Sequence, residues 1–188
     1  MKGEDHHAKV GVSLEDAYHG ARRAITLKMP EVDNTGHLVT HDRKLNVKIP
    51  KGVTQGQRIR LRGQGGPGTG DAPAGDLYLE IDLLPHPIYT VDGRDVYVDL
   101  PVTPWEAALG EKVSIPTLGG KVEMKIPAGS QSGNKLRLKG RGLPGKKKGD
   151  QFVVIKIETP EAKTENQKEL YRRMQKEMNF NPRHRLGV

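Results

Sequence analysis

The sequence of 188 residues predicts an all-β fold, with two tandem β-sandwich domains of the same design and a C-terminal helix. Three observations predict this class. The chain repeats part of itself, and its apolar residues alternate with a period of two. Only one Trp, five Tyr and two Phe are present, so Val, Ile and Leu must build the core. Two small domains suit such a composition better than one large core.

The internal repeat has three blocks. Residues 45–65 and 122–142 are offset by 77 and identical at 9 of 21 positions. Before them, residues 12–20 match 102–110, and after them residues 75–81 match 149–155. Because the blocks keep their order while the gaps between them differ, the sequence indicates two copies of one fold with loop insertions.

Each copy begins with a short helix and continues as strands. Ser13 and Thr103 stand at N-cap positions, Pro104 suits the first helical position, and Gly20 and Gly110 end the helices. Apolar residues then recur at every second position, which is typical of half-buried strands. These residues are Ile25, Leu27, Val47, Ile49, Ile59, Leu61, Leu77, Leu79 and Ile81.

The expected domain boundaries follow from two changes in pattern. Two prolines stiffen the joint at residues 84–89, and a capping box at Thr164 and Gln167 opens a helix with an apolar stripe. We therefore expect a first domain at 1–88, a second at 89–160, and a helix with its tail at 161–188.

Composition excludes several classes of function. The chain has no cysteine, which excludes disulfides, thiolate catalysis and Cys-ligated metal sites. It has no apolar run of about 18 residues, and residues 1–7 do not have the apolar core of a signal peptide. We expect a soluble cytoplasmic protein. The 31 basic and 23 acidic residues give a net charge of +8, which favours nucleic acid as one partner.

No motif predicts catalysis, a cofactor or a metal. Glycines at residues 63–68 and 140–145 match a dinucleotide fingerprint, but prolines follow them where a helix must begin. His37 and His41 fall in a strand–turn segment without further ligands, and no serine stands in a nucleophile elbow. The glycines are expected to form turns, and the protein is not expected to be an enzyme.

Basic residues alternate along the repeated strands and continue into a lysine cluster, which places the strand members on one face. This pattern has two interpretations: a solvated sheet face, or contact with phosphate or acidic partners. No aromatic residue interleaves with these charges along the chain, so stacking on bases is not expected. The residues are Arg58, Arg60, Arg62, Lys135, Arg137, Lys139, Arg141, Lys146, Lys147 and Lys148.

Aliphatic residues also fall on one side of their strands, beside Arg23. They are Val10, Val12, Ile25, Leu27, Leu77, Leu79 and Ile81. Packing in the core explains most of them. The alternative is a groove at the sheet edge that takes an extended peptide by strand addition.

Several motifs together resemble the C-terminal substrate-binding region of DnaJ-like co-chaperones, and the resemblance covers nearly the whole chain. It rests on residues 12–20, 47–52, 60–65, 74–78, 86–87 and 116–120. The resemblance implies two β-sandwich domains and a C-terminal dimerisation helix, whose contacts would be made by Leu170, Tyr171, Met174, Met178 and Phe180.

The same resemblance implies a peptide groove on the first domain, formed by Ala8, Val10, Arg23, Ile25, Leu27 and Leu79. The implied partners are unfolded polypeptides, a DnaK-type chaperone and a second copy of the chain. An alternative function is binding of duplex DNA in the nucleoid through the basic strand faces.

Two features depart from other members of the family. Where cysteine-rich relatives insert a zinc module, Lys28 to Lys44 is expected to form only a short link. The His-Pro-Asp signature of a J-domain is absent, because His86 and Pro87 are followed by Ile88. This chain alone is therefore not expected to stimulate the ATPase of a partner chaperone, and it resembles part of a longer protein.

Overall fold

The computed structural model describes residues 1–188, and strands dominate it, which confirms the all-β class. The first repeat has five strands and one helix. In chain order they are β1 (His6–Val12), α1 (Leu14–His19), β2 (Ala21–Val32), β3 (Leu38–Ile49), β4 (Arg58–Leu61) and β5 (Leu77–Leu83).

The second repeat follows the same order and is preceded by one additional strand. Its elements are β6 (Tyr89–Asp92), β7 (Asp95–Val102), α2 (Pro104–Leu109), β8 (Glu111–Thr117), β9 (Gly120–Ile126), β10 (Lys135–Leu138) and β11 (Gln151–Ile157). The chain ends with α3 (Glu165–Met178) and a 3₁₀ turn (His184–Leu186). Strand β6 begins at the predicted proline joint, and no strand of the first repeat corresponds to it.

Each repeat contains a larger sheet and a two-stranded sheet. The larger sheets have the strand orders β1-β5-β4 and β10-β11-β7-β6, and the smaller ones are β2-β3 and β8-β9. Strand β1 runs parallel to β5, and β7 runs parallel to β11. This shared parallel pairing is the three-dimensional counterpart of the sequence repeat.

Side-chain caps begin the helices where the sequence predicts them. The Ser13 hydroxyl accepts the Asp16 N–H at 3.1 Å, and Thr103 exchanges hydrogen bonds with Glu106 in a capping box. Thr164 and Gln167 form a second capping box at the start of α3. Such caps satisfy N–H groups that have no partner within a helix.

The segment from Lys28 to Lys44 differs from the expected short link. Strands β2 and β3 stay paired along their whole length, as far as Val32 opposite Leu38. Asp33 closes the turn by accepting the N–H groups of Thr35 at 2.8 Å and His37 at 2.9 Å. Because backbone pairing continues beyond the sandwich, this segment is the tip of a long hairpin, with His41 in β3.

The buried residues form two clusters, and the larger one, of 17 residues, includes members of both repeats. A polar contact also joins the repeats. Arg94 Nη1 donates to the Gly52 carbonyl at 3.1 Å and to the Pro144 carbonyl at 2.6 Å. The repeats therefore meet directly, while the boundaries at 88 and 160 stay a prediction.

Helix α3 buries none of its residues. Its main tie to the rest of the chain is the Tyr171 hydroxyl, which donates to the Pro160 carbonyl. No helix combines the length and the apolar character that crossing a lipid bilayer requires.

Candidate polypeptide-binding site and basic faces

Every strand of the first repeat except β5 has one edge without a strand partner, and β1 and β2 are the edge strands that carry the predicted groove residues. Strand β1 pairs only with β5, and β2 pairs only with β3, so each has one free edge. A free edge presents N–H and C=O groups that another extended segment can pair with. These edges are the first component of the candidate site.

The predicted groove residues divide into two groups. Ala8, Ile25 and Leu27 are partly exposed and pack against the larger core cluster. Val10 and Leu79 are buried, with exposed fractions of 8% and 0%. Expecting these two to offer surface to a peptide was wrong. Strand β5 lies between β1 and β4, so its inward side chains are covered on both sides.

A cavity of about 390 Å³ is lined by His6 of β1 and Met29 of β2, each of which stands two positions along its strand from an exposed groove residue. Alternation along a strand places His6 on the same side as Ala8, and Met29 on the same side as Leu27. The aliphatic strip therefore leads into the cavity. We call this surface, formed by Ala8, Ile25 and Leu27 with the cavity, the margin groove.

His6 and Met29 are the members of this region that the sequence analysis missed. The Nδ1 atom of His6 is buried without a hydrogen-bond partner. The available signal was the alternation itself, because both residues stand two positions from a predicted groove residue. The approach of a loop at Gly63, Gly65 and Gly66, which closes the cavity, depends on tertiary structure.

Arg23 lies two positions before Ile25 on β2 and is held by α1. Its Nε and Nη2 atoms donate to the two carboxylate oxygens of Asp16, each at 2.7 Å. This bidentate pair holds the pKa of Asp16 below its usual value. Arg23 therefore has a fixed orientation beside the margin groove.

The predicted dimerisation residues form an exposed apolar stripe. Leu170, Met174, Met178 and Phe180 expose between 43% and 79% of their surface, and Tyr171 is partly buried. Trp105 of α2, also exposed, lines a cavity of about 420 Å³ together with Leu170, Tyr171 and Met174. Within the single chain most of this stripe stays exposed.

The predicted basic side chains are all exposed, and two of them are held in place. Arg60 Nε donates to Asp76 at 2.8 Å, and Arg137 Nε donates to Asp150 at 2.7 Å. Arg58 and Arg60 share the solvent side of β4, and Lys135 and Arg137 share that of β10. Arg62, Lys139, Arg141, Lys146, Lys147 and Lys148 follow these strands in exposed turns.

No aromatic residue interleaves with these charges along the chain, but aromatic rings stand beside them on neighbouring strands. In register, Arg60 lies beside Tyr78, which lies beside His7, and Arg137 lies beside Phe152, which lies beside Tyr97. Tyr78 stacks on His7 with ring centres 5.3 Å apart. The rings stand on neighbouring strands, so an inspection along one strand could not find them.

No group of three or more His, Cys, Asp or Glu side chains is placed to hold a metal ion. The nitrogen Nδ1 of His37 is engaged at 2.9 Å by the hydroxyl of Thr35. His41 lies in β3 opposite Met29.

A duplicated sheet pair with a free-edged groove and a separate terminal helix defines a class of tandem β-domain binding proteins. Residues 6–160 match the DnaJ C terminal domain family. The chain therefore belongs to this family, as its sequence motifs predicted. The family points to a protein that is not catalytic.

Several similar curated proteins carry the name "Curved DNA-binding protein". One from Coxiella burnetii is 61% identical over 99% of this chain, and one from Serratia proteamaculans is 45% identical over 97%. One from Pseudomonas putida is 41% identical over 97% of the chain. The chain spans about 60% of the length of the first of these relatives.

Two features of the sequence predict that, within the family, this chain is similar to the curved DNA-binding proteins. They are the absence of a zinc module between β2 and β3 and the closing segment from Phe180 to Arg183. The comparisons confirm this similarity.

Proposed function

We propose that this chain holds non-native polypeptide in the margin groove and passes it to a DnaK-type chaperone. The observation that carries the proposal is the coincidence of free backbone edges on β1 and β2 with the half-exposed Ala8, Ile25 and Leu27. An extended segment would pair with an edge strand and lay every second side chain onto the aliphatic strip.

Binding at one such groove is weak. Burying two or three client side chains gains roughly 1.5–3 kcal/mol each. Association itself costs about 4–15 kcal/mol. A low affinity suits a protein that must release its client, and backbone pairing makes it tolerant of sequence.

A second copy of the chain would supply avidity. Buried between two protomers, the stripe of Leu170, Tyr171, Met174, Met178 and Phe180 would gain roughly 7–15 kcal/mol before entropic costs. Two grooves acting on one client raise the apparent affinity through effective concentration. The exposed stripe on α3 supports this arrangement.

Replacement of Ile25 and Leu27 by Ser tests the groove. We expect this variant to lose protection of an aggregating client and to bind a labelled apolar peptide at least about tenfold more weakly. Aggregation followed by light scattering and peptide anisotropy are the measurements. Val32→Ser is the matched control, because Val32 lies on the same strand but is 63% exposed at the hairpin tip.

Full client protection by the Ile25→Ser, Leu27→Ser variant would refute the groove assignment. Equal losses in this variant and in Val32→Ser would also refute it, since they would place binding outside the margin groove.

Dimerisation is tested by Leu170→Asp combined with Met174→Asp, which we expect to give monomers by light scattering. Arg172→Ala with Lys176→Ala changes the charge of α3 by the same two units on the face opposite to the stripe and should leave the dimer intact. If the first pair stays dimeric, α3 is not the interface.

A second candidate function is binding of duplex DNA through the basic strand faces. The exposed basic side chains on and after β4 and β10 favour it, as does the name of the similar proteins. The affinity should then fall with salt, with a logarithmic slope of about −0.9 for each phosphate contacted. A duplex titration at two salt concentrations measures this, and the Ile25→Ser, Leu27→Ser variant should bind DNA normally.

A further inference from the structure

The outward faces of the two larger sheets carry the same arrangement of rings and cations. In the first repeat His7 and Tyr78 stack with an interplanar angle of 15°. In the second, Tyr97 and Phe152 stack with ring centres 5.1 Å apart and an angle of 22°. Each ring pair lies across the parallel strand pair that both repeats share, which is β1–β5 in the first repeat and β7–β11 in the second. The two ring pairs, which we call platforms, therefore occupy equivalent positions.

A cation borders each ring pair in register. Arg60 on β4 is the cross-strand partner of Tyr78, and Arg137 on β10 is the cross-strand partner of Phe152. Lys135 adds a second cation, with its Nζ 5.6 Å from the centre of the Tyr97 ring. Asp76 and Asp150 hold the two arginines, so the guanidinium planes have fixed positions beside the rings.

The first platform has room for a ligand. A depression of about 420 Å³ is lined by His7, Lys9, Arg58 and Tyr78, together with Ala8 and Glu80. His7 is exposed and belongs to an edge strand, so no further strand covers the outer side of its ring. Glu80 stands between Arg58 and Lys9 in register, which leaves a local excess of positive charge.

Flat rings bordered by fixed cations fit a ligand with exposed π-faces and a chain of negative charges. Single-stranded nucleic acid has both: its bases stack on aromatic rings, and its phosphates attract Lys and Arg. Duplex DNA keeps its bases stacked on each other and offers only phosphate and groove edges to such a surface. The aromatic component therefore distinguishes the unpaired strand.

We propose that the ring pairs His7–Tyr78 and Tyr97–Phe152, with their bordering cations, are two equivalent platforms on which unpaired nucleotides stack. This goes beyond the holding of polypeptide, and it rests on the second candidate function only for the contribution of the basic side chains. The ring pairs lie on the outward sheet faces, whereas Ile25 and Leu27 of the margin groove pack on the core, and the depression of the first platform adjoins the margin groove at Ala8.

The test compares a labelled oligothymidylate of about 15 nucleotides with an abasic strand of the same length and with a duplex. Fluorescence anisotropy at one salt concentration gives the affinities. We expect the strand with bases to bind at least about fivefold more tightly than the abasic strand, since stacking adds to the phosphate term.

The variant Tyr78→Leu with Phe152→Leu removes one ring from each platform and keeps an apolar side chain and the net charge. It should lose the preference for bases while its affinity for the abasic strand and its salt slope stay unchanged. Trp105→Leu is the matched control, because it removes an exposed ring from α2 rather than from a sheet face. Circular dichroism verifies that each variant is folded.

The proposal is overturned by equal affinity for strands with and without bases, by an unchanged base preference in the double variant, or by polyglutamate competing as strongly as the unlabelled oligothymidylate. Tighter binding of the duplex than of the single strand overturns it while the second candidate function stands. A failure of all nucleic acids to bind overturns both.

Discussion

Arg60 and Asp76 form an ion pair that is repeated, atom for atom, by Arg137 and Asp150. Asp76 accepts Arg60 Nε at 2.8 Å and the Gly63 N–H at 2.9 Å. Asp150 accepts Arg137 Nε at 2.7 Å and the Gly140 N–H at 2.8 Å. Each aspartate thus fixes both an edge strand and the turn that leaves it, so the duplication preserved a structural device as well as a fold.

The carboxylates of Asp76 and Asp150 predict that the folded protein loses stability in acid. The backbone N–H groups of Gly63 and Gly140, together with the arginines, hold the pKa values of Asp76 and Asp150 below the usual 3.8. A lowered folded-state pKa stabilises the protein fully above the usual value, and the benefit is lost as the pH falls through the folded-state pKa. Urea unfolding between pH 7 and pH 2 should show this loss. Asp76→Asn should be less stable at pH 7, with the difference narrowing in acid, and a constant difference would contradict the assignment.

Arg94 predicts a stabilising contact between the repeats. Arg94→Ala removes the two hydrogen bonds to the Gly52 and Pro144 carbonyls. We expect this substitution to lower the free energy of unfolding by about 2 kcal/mol. Urea denaturation measures the change. Arg62→Ala, which truncates an exposed arginine, is the control and should change stability by no more than about 0.5 kcal/mol. Equal effects would exclude Arg94 as a structural link.

Gly52 and Gly129 hold the same place in the two repeats and provide a matched pair. Their φ angles are +83° and +80°, a region that costs a non-glycine residue about 1–2 kcal/mol. A Cβ at Gly52 would lie 2.0 Å from the Pro144 carbonyl oxygen, while at Gly129 nothing lies within 4 Å. Gly52→Ala should therefore cost a further ~1–3 kcal/mol or more. Thermal unfolding of both variants is the measurement, and equal losses would show that the repeats do not meet at Gly52.

His86 joins the proline-rich joint to α1. Its Nε2 atom lies 2.7 Å from Glu15 Oε1, and its Nδ1 atom accepts the N–H of Ile88 at 3.1 Å. The pKa of Glu15 is lowered mainly by a hydrogen bond from a backbone N–H and, to a smaller extent, by the bond to His86. In His86→Ala this pKa should rise part of the way towards its usual value, as followed by carbon NMR of the Glu15 carboxyl. An unchanged titration would show that the two side chains do not interact in solution.

The elements that local sequence specifies were predicted correctly. Ser13, Thr103 and Thr164 cap the three helices because a cap depends on residues three positions apart. Alternation on β4 and β10 placed the basic side chains outside and Ile59, Leu61, Leu136 and Leu138 inside. Each of these signals lies within a few residues of the element that it defines.

The predictions that failed concerned residues whose surroundings are set by neighbouring strands. Leu79 was expected at a groove, but the order β1-β5-β4 makes its strand central. The ring pair Tyr97–Phe152 joins residues far apart in the chain, which become neighbours only once β7 pairs with β11. The margin groove was therefore predicted in part, through Ala8, Ile25 and Leu27, while its cavity was not.

Strand β2 pairs only with β3, so its other edge is free along the whole strand, and this free edge bears on how copies of the protein associate. An edge that pairs with extended polypeptide would also pair with the same edge of a second copy, and in the proposed dimer, which presents two such edges, this pairing would link molecules into chains. Arg22 and Lys28 stand exposed along this strand, and like charges brought edge to edge repel. We therefore expect the positive charge on β2 to oppose edge-to-edge association while leaving the stripe on α3 free to form the dimer.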